Sequence, residues 1–125
     1  MLASPEMTHS GPKLLLHVEG AVVLVAAVFA YAKLGASWGY FALLFFVPDI
    51  SMVAYAAGTR AGAWSYNAAH TYFGPALLAV VAYAAQYAGL LSVAVVWIAH
   101  IGFDRLLGYG LKYPSNFKDT HLHRV

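Results

Sequence analysis

The chain contains no cysteine among its 125 residues, and only 10% of them are Asp, Glu, Lys or Arg. Without thiols there can be no disulfide, no thiolate metal site and no cysteine nucleophile. Water-soluble domains carry about 25% charged residues, so this low charge, joined to an apolar content of 62%, points to lipid as the solvent. Seven Lys and Arg against five acids leave a net charge of +2, too small and too scattered for a nucleic-acid surface. Internal repeats and low-complexity tracts are also missing, as is a linker long enough to separate two domains.

What remains is four apolar stretches divided by charged residues: Leu14 to Lys33, Trp38 to Ala57, Ala61 to Gln86 and Gly89 to Tyr109. Each is near the roughly 20 residues that an α-helix needs to cross about 30 Å of hydrocarbon. Short connections rich in Gly and Ser, at Leu34 to Ser37 and Gly58 to Arg60, force neighbours to pack antiparallel. The expected fold is therefore all-α, a four-transmembrane-helix antiparallel bundle over residues 14–113. A disordered cytoplasmic lead (1–13) precedes it and a polar cytoplasmic tail (114–125) follows. Lys13, Arg60, Lys112, Lys118 and Arg124 fall on one side of such a bundle and Lys33 on the other. The positive-inside rule then puts both termini in the cytoplasm. A cleaved signal peptide would compete for the first span, but Glu19 and the length of that span argue against it. Pro48 and Pro75 should kink the second and third spans.

The informative residues are those a membrane span should not contain: Glu19, Asn67, Asp49, His70, His100, Asp104 and Arg105. An ionisable group at the centre of a span costs about 2.5 to 3.5 kcal/mol on insertion scales, so several in one small bundle need a compensating arrangement. Counted at about 1.5 Å per residue from the cytoplasmic ends, Asp49, His70 and His100 all fall roughly 14 to 16 Å deep on three different helices. Glu19, Asn67 and Asp104 fall roughly 9 to 10 Å deep by the same count. Asn67 and His70 are three apart and His100 and Asp104 four apart, so each pair shares a helical face.

Inward-facing carboxylates and imidazoles from several helices are how metal-binding bundles hold ions. Asp49, His70, His100 and Asp104 are the expected ligands, joined by His121 if the tail folds back over the site. Imidazole nitrogen with carboxylate oxygen suits a divalent metal such as Zn, Fe or Mn. No span carries the Glu-x-x-His pair of di-iron bundles. Three other readings stay open here: a metal-free polar network, with His70 on Asp49 and Arg105 neutralising Asp104 or Glu19; a bis-histidine haem on His70 and His100; and a proton or ion pathway, which four helices would serve better as a homo-oligomer.

Taken in order, the chain reads His17-Val18-Glu19-Gly20, Pro48-Asp49, Tyr66-Asn67 with His70, Ala99-His100-Ile101-Gly102 with Asp104-Arg105, Gly108 to Tyr113, and Thr120-His121-Leu122. This series resembles the domain-of-unknown-function family 4260 of small bacterial integral membrane proteins, over nearly everything from Leu14 to Leu122. The resemblance implies a bacterial inner-membrane protein and brings no established activity. A looser similarity runs to small membrane-bound proteins regarded as metal-dependent hydrolases.

The function expected is metal-dependent hydrolysis of a lipid or similar amphiphile at the cytoplasmic leaflet. In that scheme Glu19 is the general base, Asn67 orients substrate or a ligand, and Arg105 stabilises developing negative charge or binds a phosphate. The alternative is a non-enzymatic ion or proton carrier, or a membrane subunit whose polar network sets helix packing.

Overall fold

A computed structural model describes residues 5–112 and Leu122, with side chains from Gly11 onward. His121, and the rest of the expected tail apart from Leu122, lie outside the described residues. Every regular element among them is helical: α1 (Pro5–Leu34), α2 (Trp38–Phe45), a 3₁₀ segment (Val47–Ala57), α3 (Thr59–His70), α4 (Phe73–Ala84) and α5 (Ala88–Leu107). They make four arms, the second built from α2 and the 3₁₀ segment and the third from α3 and α4. The protein is thus the all-α four-helix bundle expected. Helix α1 starts at Pro5 and so covers part of the segment expected as a disordered lead.

Among the described residues, three stretches are long and apolar enough to cross a membrane: Gly11–Leu34, Trp38–Ala57 and Ala88–Leu107. The third arm differs from the single kinked helix expected over Ala61 to Gln86. It is two helices of 12 residues each, parted at Thr71, whose backbone is extended with φ −97° and ψ 149°. Pro75 is the cause. Its ring excludes the carbonyl of the residue four before it, which is Thr71, and it has no N–H to bond there. Pro48 acts similarly in the second arm, where the α-helix gives way to a 3₁₀ run of 11 residues. Such runs rarely exceed three or four residues and are frequent marks of a functional segment.

Helix α5 is the axis of the molecule. Its residues Ala94, Val96, Ala99, His100 and Ile101 are buried almost completely, and α1, α2 and α4 all pack on it. Toward the end bearing the α1–α2 turn, Ala27 and Tyr31 of α1 meet Val95, Val96 and Ala99. Toward the other end α1 and α5 touch backbone to backbone. A Cβ built on Gly20 would stand 2.7 Å from the Gly102 carbonyl oxygen, and one on Gly102 would stand 2.9 Å from that of Gly20. Only glycine at both positions permits this approach, which brings the polar end of α5 against α1.

Helix α5 ends in a Schellman turn. Gly108 has φ +98°, its N–H bonds the Arg105 carbonyl at 3.1 Å, and the Tyr109 N–H bonds the Asp104 carbonyl at 2.7 Å. The Leu106 carbonyl receives the His17 Nδ1–H of α1 at 2.7 Å, so His17 closes the same helix end. The main chain beyond is fixed by Asn67, whose side-chain amide donates to the Lys112 carbonyl at 2.8 Å and accepts the Lys112 N–H at 2.6 Å.

Candidate metal centre

Each of the four side chains expected as ligands is aimed by a local feature. Asp49 lies in the first turn of the 3₁₀ segment and His70 is the last residue of α3. His100 and Asp104 stand one turn apart on α5. Ending α3 at His70 exposes the last carbonyls of that helix, and side chains take them up. Tyr66 O receives the His70 Nδ1–H at 2.8 Å, Ala69 O receives the Trp97 indole N–H at 2.5 Å, and His70 O receives the Arg105 guanidinium at 3.0 Å. The break imposed by Pro75 thereby becomes a rigid mount for His70.

Four atoms from these residues converge. His70 Nε2 lies 3.1 Å from His100 Nε2, 3.3 Å from Asp49 Oδ1 and 3.3 Å from Asp104 Oδ2. His100 Nε2 lies 3.2 Å from Asp49 Oδ1 and 3.3 Å from Asp104 Oδ2. All four atoms fall within 4.8 Å of one another. Five of the six distances among these atoms are 3.1 to 3.3 Å, and a regular tetrahedron with edges of that length has its centre about 2.0 Å from each corner, near the bond length of zinc to imidazole nitrogen or carboxylate oxygen. The group can therefore hold a metal ion.

Proton accounting supports the same conclusion. A carbonyl only accepts, so the bond to Tyr66 O places the proton of a neutral His70 on Nδ1 and leaves Nε2 as a bare lone pair. That lone pair faces a second imidazole nitrogen and two carboxylate oxygens. The His70 lone pair and the carboxylate oxygens repel at this range unless a proton on His100 Nε2 or a cation stands among them. The His70 side chain is fully buried and that of His100 is 2% exposed, so bulk water does not solvate the two imidazoles. A ligating histidine that donates its other N–H to a backbone carbonyl is the usual arrangement at protein metal sites.

Neighbouring rings hold the imidazoles in place. Tyr66 stacks on His70 with centroids 3.7 Å apart and planes 6° apart, and Phe45 meets His100 edge-on at 5.1 Å. The Tyr66 hydroxyl stands 3.5 Å from Asp104 Oδ2, and the Lys112 ammonium lies 4.6 Å from the Tyr66 ring centre. Burial pulls the Lys112 pKa below the usual lysine range, with Asp104 opposing.

Two cavities of about 290 Å³ each lie beside the 3₁₀ segment, and one of them borders the centre. One is polar and is lined by Asp49, Met52, Tyr66, Asp104, Tyr109 and Lys112. The other is apolar, with Leu44, Pro48, Ser51, Ala69, Leu78 and Trp97 in its wall. The 3₁₀ segment divides them, because three residues per turn set Pro48 in line with Ser51 and Asp49 in line with Met52. Asp49 is the cluster residue nearest the open side, its side chain 36% exposed against 11% for Asp104.

The remaining expected site residues lie elsewhere. Glu19 is exposed on α1 and lines neither cavity. Asn67 is engaged with the Lys112 main chain, and Arg105 with the carbonyls of His70 and Tyr109. His121 falls outside the described residues. Porphyrin has no room between His70 and His100, whose facing nitrogens are 3.1 Å apart with a carboxylate oxygen close to both. Lys112 and Tyr66 border the centre without having been singled out for it; their proximity in sequence to Asn67 and to the turn after α5 was the available signal. Gly35-Ala36-Ser37-Trp38-Gly39 has the spelling of a serine-hydrolase elbow. Here, however, Ser37 caps α2, its Oγ accepting the Gly39 N–H at 3.2 Å, and no histidine bonds it among the described residues.

Fold and site together define a helical protein with membrane-length apolar segments and a buried His/Asp cluster. The family model for a domain of unknown function, DUF4260, matches residues 13–125, and the chain belongs to that family. No curated protein and no solved structure matches it.

Proposed function

We propose that this protein is a metal-dependent hydrolase of the bacterial inner membrane, acting on an ester of lipid-like character from the cytoplasmic leaflet. The observation that carries the reading is the convergence of His70, His100, Asp49 and Asp104, with five contacts of 3.1 to 3.3 Å. Their mixed N and O donors suit Zn²⁺, Fe²⁺ or Mn²⁺. A bound divalent ion would polarise the ester and lower the pKa of an adjacent water toward about 7. The polar cavity gives a head group access to the carboxylate side of the cluster. The apolar cavity, walled by the sequence neighbours Pro48 and Ala69 of two ligands, accepts a hydrocarbon chain.

The reaction needs one water. Its oxygen bonds to the electrophilic centre of the ester while the bond to the leaving oxygen breaks. The second carboxylate oxygen of Asp49, on the exposed side, takes a water proton and returns it to that leaving oxygen. Arg105 contributes by holding the His70 carbonyl, and Asn67 by holding Lys112 at the cavity wall.

One observation favours the non-enzymatic alternative, an ion carrier: four protein ligands close a tetrahedron, whereas catalytic zinc usually keeps three and an open position. A turnover assay separates the two. Protein in liposomes containing ester lipids should release product when loaded with Zn²⁺, Fe²⁺ or Mn²⁺ and stop when a chelator strips it. Tight stoichiometric metal binding without hydrolysis of any ester lipid would instead establish the carrier.

A further inference from the structure

An ion bound inside this cluster has to enter and leave, and the four side chains are not held alike. His100 and Asp104 stand on the buried axis helix α5, and His70 is fixed by its own hydrogen bond and by Arg105. Asp49 is mounted only by the 3₁₀ segment, in which Pro48 is the one buried residue. Its Oδ1 meets the two imidazoles at 3.2 and 3.3 Å, and its side chain is the most exposed of the four.

The reach of Asp49 depends on the form of that segment. Both ends carry 3₁₀ hydrogen bonds, the Asp49 N–H on the Phe46 carbonyl and the Gly58 N–H on the Tyr55 carbonyl, each at 3.1 Å. The segment packs along α3, with the Tyr55 ring so close on Gly62 that a Cβ there would collide with it. Tyr55 and Asp49 are six residues apart, which in a 3₁₀ helix is two whole turns and a rise of about 12 Å. Gly62 and His70 are eight residues apart on α3, again about 12 Å. Tyr55 seated on Gly62 therefore delivers Asp49, on the same face, to the level of His70. An α-helical form of the same six residues would rise only about 9 Å and turn Asp49 about 120° away from the Tyr55 face. Asp49 would then leave the cluster while His70, His100 and Asp104 stayed in place.

A 3₁₀ run of 11 residues competes at every step with that α form, whose hydrogen bonds are better aligned. Pro48 sets the balance. Its ring excludes the Leu44 carbonyl and it has no N–H to give, so the ladder of α2 cannot run on into the segment. Beyond Pro48 the segment can still take either form, because proline is tolerated at the start of a helix.

We propose that the second arm is the door of the metal centre: its 3₁₀ form holds Asp49 in the cluster, its α form withdraws Asp49 and lets the ion pass, and Pro48 is the positioning residue that favours the closed form. This rests on the metal-centre reading above.

The test follows Zn²⁺ on full-length protein in a neutral detergent, measuring its content and its rate of release to excess chelator for the wild type, Pro48→Ala, Asp49→Asn and the double variant. Pro48→Ala should release the ion at least tenfold faster than the wild type and give a stronger far-ultraviolet α-helical signal. Asp49→Asn should also release it at least tenfold faster. In that background Pro48→Ala should add less than twofold, because the side chain it positions is gone. Equal release from the wild type and Pro48→Ala overturns the proposal, as does an acceleration by Pro48→Ala that is just as large in the Asp49→Asn background. The wild type gives a readout that needs no variant: amide exchange across Val47–Ala57 should slow at least tenfold when Zn²⁺ is loaded, and exchange there indifferent to Zn²⁺ overturns the door. Wild type that binds no Zn²⁺ would instead bring down the reading beneath it.

Discussion

At the scale of single residues, the centre depends on mounts as much as on ligands. His70 is held by three constraints: its Nδ1–H on Tyr66 O, the Tyr66 ring stacked on it, and Arg105 on its carbonyl. Replacing Arg105 with Met keeps the bulk but leaves the buried His70 carbonyl without this partner, at a cost of about 1 to 3 kcal/mol. Chemical denaturation of Arg105→Met should therefore show a clear loss of stability, together with weaker metal binding. Unchanged affinity would mean that Arg105 does not position His70. Glu19→Gln bears on the proton acceptor. Glu19 lines neither cavity, so the variant should keep both metal and turnover; loss of turnover with metal retained would assign the base to Glu19 instead of Asp49.

Much of this was legible in the sequence. Ionisable residues in apolar runs are expensive enough to announce themselves, and a simple count of rise per residue set Asp49, His70 and His100 at one level. The same count set Asp104 about a turn nearer the cytoplasm, yet its carboxylate reaches the same point as the others. A count of Cα positions ignores side-chain reach, and i,i+4 neighbours on α5 share a face. The place of Lys112 beside the centre is not legible in the sequence, because the turn after α5 that folds it back has no periodicity to read.

At the scale of elements, two prolines convert regular spans into broken ones. Hydropathy alone gave one third span; it could not show that Pro75 ends α3 at His70, since composition is indifferent to where a hydrogen-bond ladder is interrupted. Helix α4 is capped by Ala85, followed by Gln86 with φ +54°, in a Schellman arrangement made by the Tyr87 N–H on Ala82 O at 2.9 Å and the Gln86 N–H on Tyr83 O at 3.1 Å. Left-handed backbone costs a non-glycine residue about 1 to 2 kcal/mol. Gln86→Gly should consequently raise the unfolding midpoint, and an unchanged or lower midpoint would show that the Gln86 side chain compensates. The contact between Gly20 and Gly102 gives the opposite sign. Gly102→Ala forces a methyl group against backbone and should destabilise the bundle by about 1 to 3 kcal/mol, seen as a lower denaturation midpoint; wild-type stability would show that α1 and α5 can separate freely.

At the scale of the whole molecule, α5 joins everything. It packs on α1, α2 and α4, and carries two of the four cluster residues, while Asp49 and His70 come from the second and third arms. An ion held there cross-links three of the four arms. It should stabilise the native protein by about 4 kcal/mol at a free concentration a thousand times its dissociation constant. Thermal unfolding should therefore shift upward with added Zn²⁺, Fe²⁺ or Mn²⁺ and downward with chelator. Orientation is a separate matter. Lys13, Arg60 and Lys112 share the side on which the polar cavity is proposed to open, so reporter fusions at either terminus should both read cytoplasmic. A periplasmic reading would place substrate access on the other face.

The metal content of protein purified without a polyhistidine tag tests the central claim most directly, with His70→Ala and His100→Ala measured beside the wild type. One divalent ion per chain is expected in the wild type, bound through nitrogen and oxygen at about 2.0 Å by X-ray absorption, and none in either variant. Folded wild-type protein that stays metal-free at equilibrium with Zn²⁺, Fe²⁺ and Mn²⁺, or histidine variants that keep the ion, would contradict it and leave the four side chains as a protonated polar network.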